Sequence, residues 1–383
     1  MKPASDFFAV FALCTLWLVG QPAAWPAEPA VARVIALSGE MRAGGHALKV
    51  GDTVAEGEEI SSGLEGRATL EFAGRSVVHI RTDSRLRIQT HRGSGASSAQ
   101  SEIRLLLDSG AVDVSVAEQG APSFAIASPS GNLAAVRGAE LRVRARVEAM
   151  LVEVLEGTVT VAGTAGGQVV VGAGYGTQVK PAQAPLAPVR LLRAPDISGV
   201  AQLLERAVVW LRFAPLAGAE RYRIVAAADR DLREVIVDSR PRRPDLRILG
   251  LDDGEYFYGV RAVGALDLDG LEVRGRFRLK ARPIPPAADM PPPDAVLVPG
   301  AITFTWEPTT GEAAAYRFQL ADDEAFATLL VDRDRLTELE FTVERLKAGR
   351  YYWRVASLRA GGDQGPYSDP QMVTLRAPEP QKQ

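Results

Sequence analysis

The chain has 383 residues, 46% of them hydrophobic, with 44 basic against 47 acidic side chains and a net charge of −3. That length supplies two or three packed cores, and the near-neutral balance gives no bulk attraction for nucleic acid or anionic membranes. A single cysteine, Cys14, excludes a disulfide framework within the chain and a cysteine metal site.

At the N-terminus, Lys2 precedes an apolar run from Phe7 to Gly20, and the small residues Ala23, Ala24 and Ala27 follow. This order is that of a secretory signal peptide spanning 1–27, cut after Ala24 or Ala27. The run falls short of the roughly 20 apolar residues of a comfortable membrane span, so no stable span is expected after cleavage. Asp6 and Trp25 keep an uncleaved anchor open as the alternative, and bulky Leu13 before Cys14 argues against lipid attachment. Cleavage removes Cys14 and with it any thiolate nucleophile. A periplasmic or otherwise exported protein is expected.

Aromatic residues divide the remainder. Between Glu28 and Val200 there is no tryptophan and one tyrosine, Tyr175, whereas Trp210, Trp306, Trp353 and the other tyrosines lie beyond. The first part carries short aliphatic runs: Ala32 to Leu37, Ala68 to Phe72, Ser76 to Ile80, Ile103 to Leu107, Ala111 to Val116, Phe124 to Ala127 and Leu141 to Val147. Alternation over such lengths, with glycines such as Gly39, Gly63, Gly110 and Gly157 between runs, predicts strands and tight turns. The expected fold is an all-β domain with an aliphatic core, sandwich-like or rolled.

Several ordered blocks punctuate this part: Gly51-Asp52, Glu59 to Gly63, Ala68 to Ser76, Leu106 to Val112, Val136 to Val143, Glu156 to Val161 and Val169 to Gly176. Their succession resembles the FecR domain, over residues 31–180. Ala139 departs from the pattern, since the family usually carries threonine there. Read from the residues alone, Arg137-Gly138 and Glu156-Gly157 are turns first, with glycine supplying a positive φ or a close backbone approach, and partner contacts second.

Residues 181–200 are expected as a linker, after which the sequence repeats itself. Phe213-Ala214-Pro215 matches Trp306-Glu307-Pro308, Tyr222-Arg223-Ile224 matches Tyr316-Arg317-Phe318, and Gly254 to Tyr258 matches Gly349 to Trp353, at spacings of 93 to 95 residues. That is the size of one β-sandwich, and alternate large aromatics fill the space between two sheets. The repeats resemble fibronectin type III domains, over 201–282 and 294–378, separated by a stiff proline-rich linker at 283–293.

No catalytic constellation emerges. His46, His79 and His91 lack metal-ligand spacing, and Gly172 to Gly176 is a turn rather than a phosphate cradle. Asp267-x-Asp269-Gly270-x-Glu272 has calcium-like chemistry without the spacing of a calcium loop, and is expected as a solvated loop. Arg240-Pro241-Arg242-Arg243, Asp322-Asp323-Glu324 and Asp332 to Arg335 are expected as solvated surface runs, and Gly93 to Ser101 as a polar hairpin tip.

The sequence therefore predicts a non-enzymatic, exported cell-envelope binding or adaptor protein. It has no catalytic, cofactor-binding or metal residues and no cofactor, and it contacts a protein or glycan partner of the envelope but no nucleic acid. The alternative is a FecR-type periplasmic signal-transduction regulator. That role, as the resemblance implies it, needs a cytoplasmic segment and a membrane helix, and only six residues precede the apolar run.

Overall fold

A computed structural model of the protein describes residues 30–92, 101–118, 122–309 and 313–377. The expected signal peptide and most of the expected hairpin tip, residues 93–100, lie outside them. The described chain is all-β and contains no α-helix, hence no helix long and apolar enough to cross a membrane.

In the N-terminal domain two sheets share one strand. The first sheet runs, in spatial order, Thr53–Ala55, Ala30–Ser38, Arg67–Phe72, Val77–Ile80, the second half of Ser101–Val116, Ala139–Ala145, Met150–Glu156, Tyr175–Val179 and Val189–Arg190, antiparallel throughout. The second contains Met41–Ala43, Glu59–Ser62, Arg85–Arg92, the first half of Ser101–Val116, Ser123–Ser128, Gly131–Val136, Thr158–Gly163 and Gln168–Gly172.

The runs Ile103 to Leu107 and Ala111 to Val116 are thus one strand rather than two separated by a turn. Gly110 is where that strand passes from sheet to sheet. Its φ is +91°, and a Cβ there would stand 2.4 Å from Ser84 Cα, so only glycine fits both the bend and the neighbouring backbone. Inward residues of both sheets, among them Val34, Leu70, Val112, Val143 and Val152 against Ile60, Leu86, Leu105, Ile126 and Val161, make one continuous core. One aromatic pair, Phe72 and Phe124, meets edge to face at 5.2 Å within it.

Gly138 and Gly157 are neighbours in space. A Cβ on Gly157, φ +77°, would stand 2.5 Å from Gly138 O and 3.0 Å from Ala139 Cα, and Gly138 itself has φ +51°. Both blocks act as turns that let the ends of Ala139–Ala145 and Met150–Glu156 close on each other. The buried methyl of Ala139 lies beside this turn.

Each repeat is a two-sheet sandwich. In the first, Leu203–Leu204, Asp269–Leu279, Gly254–Val263, Arg221–Ala227 and Val235–Ser239 face the pair Val209–Arg212 and Asp245–Ile248. In the second, Ala295–Leu297, Gln371–Leu375, Gly349–Leu358, Ala315–Ala321 and Leu329–Leu336 face Ala287–Met290, Gly300–Glu307 and Glu340–Leu346. Tyr256 Oη donates to Asp252 O at 2.9 Å and Tyr351 Oη to Lys347 O at 3.1 Å, the tyrosine corner expected of such sandwiches. Trp353 takes the place of Tyr258 in a more aromatic second core with Phe304, Trp306 and Phe318.

Both expected linkers are partly folded into domains. Val189–Arg190 pairs with Tyr175 and Gly176, and Ala287–Met290 pairs with Gly300–Glu307 as a sandwich strand. Proline tolerates such edge positions because a strand at an edge leaves one side of its backbone unpaired.

Candidate functional site

The alternation rule identifies the site. In a two-layer domain every second residue of a strand should meet water, yet on Ala139–Ala145 and Met150–Glu156 nearly every residue is buried. Arg142 is 4% exposed, Arg144 8% and Glu153 2%, and all three lie on the face turned away from the domain's own core. That face is covered by the first repeat, whose strands Arg221–Ala227, Val235–Ser239, Gly254–Val263 and Asp269–Leu279 present a charged face of their own.

Between the two domains lies an ionic layer centred on Asp269, which is fully buried. Its carboxylate stands 3.0 Å from Arg144 and 3.1 Å from Arg240, with Arg223 and Arg261 at 3.5 and 3.8 Å. Its backbone N–H donates to Glu153 at 2.9 Å, and Glu153 also accepts from Arg144 at 3.2 Å. Arg142 donates to the carbonyls of Asp269 and Gly270, and Asp267 pairs with Arg144 and Arg146 at 3.1 and 2.7 Å. Two forks complete the layer: Arg81 holds Asp113, and Arg223 holds Asp238, which Arg67 of the N-terminal domain also reaches at 3.0 Å. Planar guanidinium groups suit such two-point contacts. Beside this layer, Leu151, Leu191 and Leu268 form a small apolar cluster, joining sheet, linker and first repeat.

Burial and neighbouring charge act against each other here. Burial pushes the carboxyls of Asp113, Asp269 and Glu272 up, but Arg81 beside the first, Arg144 and Arg240 beside the second and Arg261 beside the third outweigh it, and all three lie below the usual carboxylate range. For Glu153 desolvation wins, with Asp269 adding to it against Arg144, and its carboxyl is raised. Arg240 is lowered by burial and by Arg144 despite Asp269, and Arg261 by burial together with Arg142 and Arg81.

Two openings flank the layer. A cleft of about 880 Å³ is lined by Arg67, Arg81, Arg144, Arg146, Arg223 and Arg240, with Val147 and Ile236 exposed among them. A second, of about 460 Å³, is lined from both domains by His79, Asp113, Leu232, Arg261 and Glu272. Both fall in the size range of small-ligand pockets.

The structure corrects two sequence expectations. Asp267-x-Asp269-Gly270-x-Glu272 is not a solvated loop, because its carboxylates are taken by arginines, two of them, Arg144 and Arg146, from the other domain. Arg240 leaves its basic run and turns inward, while Arg242 and Arg243 stay exposed. Other expectations stand elsewhere: Arg137 is exposed at its turn, His46 sits on an exposed hairpin, and Gly174, φ +77°, makes the turn between Gln168–Gly172 and Tyr175–Val179. His79 shares a hydrogen bond of 2.9 Å with Thr69 and is lowered by desolvation, against the pull of Asp113. His91 lies on Arg85–Arg92. Asp323 caps a loop by accepting from the N–H groups of Ala327 and Thr328, as Asp229 does for Arg233 and Glu234. Among the described residues no group of His, Cys, Asp and Glu could hold a metal. Arg81, Asp113, Arg142, Arg144, Glu153 and Arg261 carry no sequence signal: each is one polar residue on, or for Arg81 just past, an alternating strand.

The second repeat keeps part of the same face open. Arg317 forks onto Asp332 as Arg223 does onto Asp238, but with side chains 35% and 30% exposed against 8% and 19%.

The FecR protein family model matches residues 58–160. These contain both long buried strands of the layer, while the Gly51-Asp52 and Val169 to Gly176 blocks fall outside the match. Among solved structures, the FN1–FN3 domains of chicken CNTN1 are similar at 16% identity over 62% of this chain and 98% of that one, with a TM-score of 0.24. A two-domain fibronectin type III segment of chicken tenascin follows at 15%, 48% and 99%, TM-score 0.22. The fibronectin(III)-like modules of Clostridium thermocellum CbhA stand at 12%, 47% and 92%, TM-score 0.20. No curated protein matches the chain.

Proposed function

We propose, from a FecR domain at 58–160 followed by two fibronectin type III-like sandwiches, that this chain is an exported binding or adaptor protein of the cell envelope. The FecR domain and first repeat act as one receptor body, and the second repeat extends from it. The observation that carries this reading is the cleft of about 880 Å³ whose walls come from two domains and whose depth is lined by arginines. Concave sites at domain boundaries with a few convergent polar groups are the usual place for recognition. The charged layer fixes the walls without occupying the opening. Protein or glycan of the envelope is the partner class, and nucleic acid is disfavoured by the net charge of −3.

The test is fractionation with N-terminal sequencing, followed by in-cell crosslinking and mass spectrometry. Export with cleavage after Ala24 or Ala27, and crosslinks from the cleft rim to an envelope protein or glycan, are expected. Recovery of an intact Met1 in the membrane fraction would instead favour a FecR-type signal-transduction regulator, a reading that draws on the match at 58–160. Absence of any envelope crosslink would contradict the adaptor.

A further inference from the structure

The buried layer is not balanced in charge. Arginines 67, 81, 142, 144, 223, 240 and 261, each under a third exposed, face the six carboxylates of Asp113, Glu153, Asp238, Asp267, Asp269 and Glu272. Arginine does not shed its proton to relieve such an excess. The remaining carboxylates on the cleft wall, Glu65, Asp83 and Glu148, are exposed at the rim, where water screens them.

One of the cleft-lining arginines also carries an unmade donor. Arg240 commits Nη2 to Asp269, while its Nη1 is buried and has no hydrogen-bond partner among the described residues. A buried charged N–H group left unmade is costly, and this side chain lines the cleft together with Arg67, Arg144, Arg146 and Arg223. We propose that the cleft binds an oxyanion, a carboxylate, phosphate or sulfate group on a small ligand, held by the guanidinium groups of Arg240 and its neighbours that line the cleft. The trigonal or tetrahedral oxygens of such a group match guanidinium donors at more than one point. The cleft's volume admits a molecule of sugar-acid or short acidic-peptide size rather than a bare ion alone.

This inference rests on the reading of the chain as a binding protein, yet the two fail separately. Isothermal titration calorimetry of the full chain at constant ionic strength, with sodium phosphate, sodium sulfate, citrate and glucuronate against a chloride control, reads the site directly. The first two probes report a free inorganic anion and the last two an organic carboxylate. Saturable binding of at least one probe is expected, weakened at least tenfold in Arg240→Gln. Because Arg240 also supports Asp269, a second variant is needed: Ile236→Asp, at a position 41% exposed on the cleft wall, adds a competing carboxylate without removing an arginine and should weaken binding by a similar factor. No saturable heat beyond chloride, or equal affinity in wild type and Ile236→Asp, would overturn the proposal. Envelope crosslinks that persist in Ile236→Asp would leave the adaptor reading standing while the anion site fell.

Discussion

Asp269 shows how much one residue can depend on a distant stretch of chain. Its nearest cationic neighbours come from both domains, and removing it leaves Arg240 buried without its carboxylate partner and takes one of several from Arg144, Arg223 and Arg261. Breaking a buried ion pair from one side costs about 3–5 kcal/mol, so Asp269→Ala is expected to lower stability by that order in urea unfolding. Asp332→Ala in the second repeat removes the same kind of fork at a half-open surface, where pairs are worth about 1 kcal/mol or less. The depressed carboxyls of Asp113, Asp269 and Glu272 also fix a pH dependence. A folded-state pKa below the unfolded one contributes stability that is complete above the unfolded value, about 4, and is lost as pH falls through the folded value. Urea midpoints should therefore hold from neutral pH to about pH 5 and fall below about pH 4, with the raised Glu153 partly offsetting the loss. A flat profile down to pH 3 would contradict the ionic layer. None of this was legible in the sequence: three carboxylates around a glycine look alike whether water or arginines far along the chain satisfy them.

At the scale of strands and turns the sequence was more informative, because alternation and glycine placement are local. The runs from Ala32 to Leu37, Ala68 to Phe72 and Phe124 to Ala127 all lie on strands. What local pattern could not reveal was continuity. Gly110 resembles a turn glycine in sequence, yet it bends one strand across two sheets because Arg85–Arg92 pairs with its first half and Ala139–Ala145 with its second. The docked linker strands were hidden for a related reason, since an edge strand needs only one partner and tolerates proline. Gly157→Ala tests the turn role of the FecR-type blocks. With φ +77° and Gly138 O at 2.5 Å from the added methyl, the substitution should cost on the order of 1–3 kcal/mol, read as a lower thermal midpoint for the N-terminal domain. A shift within a few tenths of a kcal/mol would show that the turn relaxes freely.

Across the whole molecule the three domains are joined unequally. The N-terminal domain and first repeat share the buried ionic layer and the cluster of Leu151, Leu191 and Leu268. The two repeats meet through more exposed contacts, among them Lys280 with Asp363 at 2.9 Å and Arg206 with Asp369, while Ser357 Oγ donates to Ile284 O of the connecting segment. Screened surface pairs hold geometry weakly, so the first joint should be rigid and the second more compliant. Sequence repeats and aromatic content predict three domains, but the inequality of their joints depends on which outer faces meet. A pair of spin labels measures the rigid joint directly: Cys14→Ser, Val170→Cys and Leu249→Cys, the last two 64% and 73% exposed on the N-terminal domain and first repeat, followed by double electron–electron resonance. A single narrow distance distribution that broadens in Asp269→Ala is the expected result. A broad distribution already present in the otherwise unaltered chain would contradict the clamped two-domain body on which the cleft depends.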